Sequence, residues 1–335
     1  MIRHLRIARL LFPALVLSGC KGWQSALDPH GPQASSLADL FWTFAVVCTI
    51  VWTLVMIALA MALLWRHRAR PQPLATDPAQ ERRFTSVIAT AVGLTAVTLL
   101  TLTGFSYATQ KQLFARKEGL AIKIVGHQWW WDVRYEDPAP YRGFTTANEI
   151  HIPVGQPVTI KLASADVIHS FWVPNLFGKQ DLITGHENEI QFVADRPGTY
   201  RGQCAEFCGW QHAHMSLLVV AQPKEDFESW REGQIAAAEP PADPERQRGQ
   251  SVFLSNPCIM CHTVRGTPAG GKVGPELTHV ASRQYIAAGT LPTTRGNIAA
   301  WIVDPQGVKP GAHMPLIKIA PDDLHPLLSY LEGLR

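Results

Sequence analysis

Charge is scarce in this chain. Of its 335 residues 17% are charged, and the formal net charge is only +3. Arg3, Arg6 and Arg9 supply that excess, with no acidic residue among positions 1 to 19. The remainder is close to balanced, which excludes the strongly basic face that nucleic-acid binding needs. Cysteine is sparse as well: Cys20, Cys48, Cys204, Cys208, Cys258 and Cys261 are the whole supply. Four of these six fall in two short motifs.

What the chain has in quantity is apolar sequence. A basic start leads into an apolar run from Leu10 to Leu17 and then Leu17-Ser18-Gly19-Cys20. That run is too short to span a bilayer, which takes ~20 residues. Small residues ahead of a cysteine resemble the bacterial lipobox. The resemblance implies a lipoprotein signal peptide over residues 1–19 and a diacylglyceryl thioether on Cys20; an ordinary signal peptide ending beside a cysteine is the alternative. Two longer stretches, about 40–65 and 84–107, predict a transmembrane hairpin within residues 20–110. The loop between them carries Arg66, Arg68, Arg70, Arg82 and Arg83 against Asp77 and Glu81, which keeps it cytoplasmic and puts both ends of the mature chain outside. Threonine is frequent in the second stretch, where hydroxyls can bond back to their own helix.

From about Ala121 the pattern shortens. Val158, Ile160 and Leu162 alternate with Thr159 and Lys161, and further short runs at Ile190 to Phe192 and Leu217 to Val220 lie between Pro and Gly turns. An all-β domain over 120–222 is expected, an antiparallel sandwich or barrel with Greek-key connections. Residues 223–245 hold a short helix and an Ala/Pro linker. A third, helical domain follows over 246–335.

The chemistry gathers in Cys204-Ala-Glu-Phe-Cys208-Gly-Trp-Gln-His212-Ala-His214-Met215. Thiolate, thioether and imidazole select copper or zinc over oxygen-loving ions. One imidazole is missing for copper, and His169 in Asp166-Val167-Ile168-His169-Ser170 is the candidate donor. A disulfide or a structural Cys2His2 zinc are the competing uses, although neither accounts for Met215 or the Asp-Val-x-His-Ser stretch. His127, His151 and His186 read as structural, and His214 as solvated or adjacent to the ligands. The spacing resembles the binuclear copper site of cytochrome c oxidase subunit II. The resemblance implies that Cys204 and Cys208 bridge two copper ions, that His169 and His212 terminate them, and that Met215 and the Glu206 carbonyl are weak axial ligands. It also implies a cupredoxin-like fold, a magnesium ion on the Glu206 side chain shared with subunit I, and an electron-entry role for Trp129 in Gly126-His127-Gln128-Trp129-Trp130-Trp131. Trp130 and Trp131 read as core. The family's Trp after the acidic residue of the second helix is absent beyond Glu81, so Glu81 reads equally as a solvated charge.

Cys258-Ile-Met-Cys261-His262 is a c-type haem attachment motif, with His262 as the proximal ligand. Val252 and Phe253 suit an entering helix, and Leu324, Leu327, Leu328 and Leu331 suit a closing one. Gly274-Pro275 and Trp301 resemble features of class I cytochromes c. Met314 is the expected sixth ligand, with His313 and His325 as alternatives. Cys48 reads as a packing residue, and no structural disulfide is left to assign.

Taken together, the chain resembles subunit II of a haem–copper oxidase with a fused cytochrome c domain. No side chain here could bind and split oxygen. The resemblance implies a cytochrome-c oxidase subunit of the bacterial inner membrane with its copper and haem domains on the periplasmic side. Electrons would come from cytochrome c or a quinol–cytochrome c reductase complex and pass through haem and copper to subunit I. The fused domain is expected to act as a tethered carrier. A copper subunit of a nitric oxide reductase and a copper-handling lipoprotein without an oxidase are the alternatives.

Overall fold

The computed structural model describes residues 21–66, 77–113 and 118–335. The signal peptide, Cys20, Arg68 and Arg70 lie outside the described residues. The chain divides into two units, residues 35–115 and the remainder.

The first unit is a pair of long helices, α1 (Pro32–Arg66) and α2 (Pro78–Leu113). Both outrun the apolar stretches in the sequence, because each starts on a proline, whose fixed φ suits the first turn. Both are long and apolar enough to cross a membrane. The hydroxyls of Thr98, Thr101 and Thr103 each donate to the carbonyl four residues back at 2.8 Å. These three hydroxyls are thereby satisfied within the helix, which is what insertion requires of them.

The second unit opens with a β-sandwich of ten strands: β1 (Leu120–His127), β2 (Trp130–Glu136), β3 (Phe144–Ala147), β4 (Glu149–Pro153), β5 (Val158–Ser164), β6 (His169–Trp172), β7 (Gln180–Leu182), β8 (Asn188–Phe192), β9 (Gly198–Cys204) and β10 (Ser216–Gln222). One sheet runs β3-β2-β1-β5-β8 and the other β4-β10-β9-β6-β7. Ile122, Ile124, Val158, Ile160 and Leu162 are fully buried. Between them Lys123 and Lys161 point outward and pair with Glu187 and Glu136 at 2.6 and 2.7 Å, the alternation of a sheet buried on one face.

The expectation of purely antiparallel sheets needs correction. β1 with β5, and β4 with β10, pair in parallel. Between β1 and β5 the chain visits the opposite sheet and returns, and a return of that kind restores strand direction. The passage is made by one residue: Asn148, at φ 62°, separates β3 from β4. Its backbone N–H donates to Trp131 O at 3.0 Å and its side-chain oxygen accepts from Trp131 N at 2.8 Å.

Beyond the sandwich lies α3 (Lys224–Ile235), where the Trp230 ring stacks on His151 at 4.1 Å between centroids. The haem-motif domain follows with α4 (Pro244–Ser255), α5 (Cys258–Cys261), a two-strand ribbon β11 (Tyr285–Ile286) and β12 (Leu291–Pro292), α6 (Arg295–Val303), α7 (Pro305–Val308) and α8 (Pro321–Glu332). Asp243 starts α4, its carboxylate accepting from Arg246 N at 2.8 Å. Helices α4 and α8 bury Val252 and Phe253 against Leu327, Leu328 and Leu331. They approach so closely that a Cβ on Gly249 would fall on the Pro326 carbonyl.

Candidate metal and haem sites

The loop from β9 to β10 begins at Cys204 and closes on itself where Cys204 N donates to Met215 O at 2.9 Å. Pairing of β6 with β9 sets Phe171 opposite Cys204. His169, two residues earlier on β6, thereby projects from the same face toward the loop. Its Nδ1 lies 3.9 Å from Cys204 Sγ, and His212 Nδ1 lies 3.6 Å from Cys208 Sγ. The two thiols are free and 3.7 Å apart, whereas a disulfide would bring them to about 2.05 Å. Met215 Sδ is 3.9 Å from Cys208 Sγ, and the Glu206 carbonyl 3.2 Å from Cys204 Sγ. Each thiol therefore has one imidazole and one weak donor beside it.

Six donors in this order exceed the four that a tetrahedral zinc takes, and the thioether and carbonyl suit long axial positions on copper. His169, Cys204, Cys208 and Met215 are all buried, so the residues fit a copper centre shielded from water. The Glu206 carboxylate is turned away and half-exposed, 3.6 Å from Lys179 Nζ.

The protein prepares this donor set electrostatically. Contact with the Cys208 thiol, opposed by burial and assisted by His169 and the loop amides, lowers the Cys204 pKa to about 3. An anion so near pushes Cys208 up. Cys204 is thus the more acidic thiol of the pair, and a metal held by both sulfurs would displace the remaining proton. Burial opposes a charge on His169, but Asp166 outweighs it, together with Cys204, and the pKa is raised. His169 Nε2 donates to Asp166 Oδ1 at 2.8 Å, which fixes the ring and leaves Nδ1 facing the sulfur. Asp166 also accepts from Gln128 N at 2.7 Å. Trp129 Nε1 and Gln128 Nε2 donate to Cys208 O at 2.9 and 2.8 Å, so the Gln128–Trp129 corner grips the loop.

Sequence reasoning assigned no task to Asp166 or Gln128, although Asp166 stood three residues from His169. His214 is in contact with Gln211, Nδ1 to Oε1 at 2.7 Å. Trp131 is fully buried and Trp130 stacks on His127 at 4.5 Å.

Cys258 and Cys261 occupy the single turn of α5, and both are free thiols. His262 Nδ1 donates to Pro275 O at 2.7 Å, leaving Nε2 for a ligand. A Cβ on Gly274 would come within 2.7 Å of that imidazole, so only glycine leaves room for the ring. Burial holds the His262 pKa below the usual histidine range, and a neutral ring is what iron binds. Thiols, a neutral imidazole and a cradle of this kind fit haem c. Met314 lies in a separate loop after α7, its carbonyl accepting from Gln306 at 3.1 Å. Among the alternatives, His325 faces Arg295 and Glu245 on the surface, and His313 faces Trp129.

Residues 137–222 match the family described as cytochrome c oxidase subunit II, periplasmic domain, and residues 246–335 match cytochrome c. Cytochrome c oxidase subunit 2 of Alkalihalophilus pseudofirmus is 36% identical over 98% of this chain and 97% of its own. The protein of the same name from Bacillus subtilis is 26% identical over 100% of this chain and 99% of its own. Among solved structures, the periplasmic domain of subunit II of cytochrome oxidase (CoxB) from Bradyrhizobium japonicum is 32% identical, covering 36% of this chain and 96% of that one at a TM-score of 0.34.

Proposed function

This chain belongs to the cytochrome c oxidase subunit II family, and from that premise we propose that it is the electron-entry subunit of its oxidase. It is part of a haem–copper terminal oxidase and a membrane protein with copper and haem domains. In the proposed role, electrons from an external donor, a cytochrome c or a quinol–cytochrome c reductase, enter at the haem domain and leave through the copper domain toward subunit I. His169, Cys204, Glu206, Cys208, His212 and Met215 would hold two copper ions. Cys258 and Cys261 would bind haem c, with His262 and Met314 on its iron. When bound, these groups supply one-electron carriage without making or breaking bonds in a substrate.

The chain's own residues do the rest. Asp166 orients His169, the Gln128–Trp129 corner fixes the loop at Cys208 O, and burial keeps water off His169, Cys204, Cys208 and Met215. Donors held in this way move little when charge arrives, which keeps the barrier to transfer low. Pro275 orients His262 on the haem side in the same manner. The Glu206 carboxylate, half-exposed beside Lys179, would bind magnesium at the contact with subunit I. Both domains would face the outside of the inner membrane, with Cys20 lipidated as the mature first residue; intact mass of the purified protein tests that modification.

The observation that carries the reading is two free thiols 3.7 Å apart with two imidazoles, a thioether and a carbonyl around them. Copper paramagnetic resonance on the full chain tests it. A spectrum from one electron shared by two coppers is expected. A single-copper spectrum, or zinc bound in its place, would overturn the assignment.

A further inference from the structure

The sandwich and the haem-motif domain meet along a seam that no sequence motif announced. Gln211 Nε2 donates to Pro310 O at 2.7 Å, Ser216 Oγ to Ala288 O at 3.0 Å, and Gln284 N to the buried Glu149 carboxylate at 2.8 Å. Near the copper loop the seam is tighter still. Gly311, at φ +84°, lies where a Cβ would come 3.2 Å from the Trp210 ring and 3.8 Å from Trp129. The rings of Trp129 and His313 stand 5.7 Å apart. Residues 309–313, which lead into Met314, therefore rest on the same Trp129 and Gln211 that flank Cys208 and His212. A domain swinging freely on its linker would leave these polar groups to water. Here the buried Gln211, Ser216 and Glu149 side chains are paired across the seam, so the tethered domain is also seated.

One group at the seam is out of keeping with ordinary packing. Lys309 is 2% exposed, and its Nζ donates to Trp129 O at 2.8 Å and to Ala287 O at 3.2 Å. No carboxylate pairs with it among the described ion pairs. Burying an ammonium on carbonyl dipoles alone is costly, and a methionine of similar length would fill the space without that cost. What the ammonium adds is direction, since its donors reach one carbonyl in the sandwich and one in its own domain.

We propose that Lys309 is the positioning residue that seats the Met314 loop on Trp129 and so fixes the spacing between the haem-bearing and copper-bearing parts of the chain. Gln211, aimed by His214, holds the other side of the same turn at Pro310. Two grips on adjacent residues prevent the loop from rolling across the indole. The seat stands on these contacts; its consequence for electron transfer rests on the electron-entry reading.

The test uses the full chain in its oxidase complex, as wild type, K309M and Q211A. Hydrogen exchange reads the seat directly. In K309M the amides of residues 311–313 are expected to exchange roughly tenfold faster, while thermal stability is not reduced. After photoreduction of the haem, haem-to-copper transfer is expected to slow severalfold or more, with both midpoint potentials and the copper resonance unchanged. Q211A should loosen the same segment to a lesser degree, and it decides the matter if K309M fails to fold. Wild-type exchange and wild-type transfer in the variants would overturn the proposal, as would a fall in stability with both readouts unmoved. Absence of haem-to-copper transfer in the wild type would fault the electron-entry reading, leaving exchange alone to judge the seat.

Discussion

Replacing Gly249 by alanine sets two effects of opposite sign against each other. Within a helix the exchange is favourable by about 0.5–1 kcal/mol, because glycine loses more backbone freedom on folding. At this crossing, however, the new Cβ would fall on the Pro326 carbonyl and lie 2.7 Å from the Tyr330 Cβ. The obstacle is backbone, so no side chain can swing aside, and overpacking of this kind costs about 1–3 kcal/mol. Contact with a carbonyl argues for the upper end, leaving a net loss of roughly 1–2 kcal/mol. For a domain of about 90 residues, 246–335, each kcal/mol moves the melting temperature by roughly 4–8 °C. A fall of about 5–15 °C in the haem-domain transition is therefore expected, read from Soret dichroism of the haem-loaded chain. Gly296, in α6 with no heavy atom within 4 Å of its would-be Cβ, supplies the control. Its change to alanine should stabilise by about 0.4–1 kcal/mol. If G249A melted at or above the wild-type temperature, the close crossing of α4 and α8 would be refuted.

Removing the Asp166 carboxylate in D166A should weaken copper binding by about 10–100-fold by freeing the His169 ring; competition with a calibrated chelator measures it, and unchanged affinity would clear Asp166 of that role. Burial lowers the Lys309 pKa from 10.5 to about 7, against a smaller upward pull from Cys208. Between these values the unfolded chain keeps a proton that the folded chain has released, so stability rises with pH across this window and is flat below it. Denaturant titration of copper-free wild type against K309M should isolate a difference of up to about 4–5 kcal/mol between the ends of that window; parallel curves would deny the burial. Finally, D243A removes the cap of α4 and should cost about 0.5–2 kcal/mol in the same denaturant assay, with an unchanged midpoint counting against the cap.

Much of the site was legible because it is local. Cys204, Glu206, Cys208, His212 and Met215 share one loop, so spacing along the chain is nearly spacing in space. The haem motif is legible for the same reason, with Cys258, Cys261 and His262 on one turn. His169 could be nominated from Asp-Val-x-His-Ser, but only the β6–β9 register explains how it comes to face Cys204. Hydrophobic alternation carried the strands, whereas it says nothing of direction, and the parallel pairs β1–β5 and β4–β10 escaped it. Lys309 and Gln211 were illegible for a different reason. In sequence, a lysine before a proline reads as solvated, and it is the partner domain that buries it. The same holds for Gln284 and Glu149, whose pairing spans 135 positions.

The corner at Asn148 bears on how this domain can be altered. It has no spare length: one residue in a left-handed conformation passes the chain between sheets, both its polar ends are engaged by Trp131, and its carbonyl accepts from Leu218 N at 3.0 Å. Adding a residue there would shift β4 by one and turn Ile150 and Ile152, now fully buried, to the wrong face. Tags, permuted termini and inserted reporter peptides belong instead at exposed turns such as that around Tyr141, which is 80% exposed.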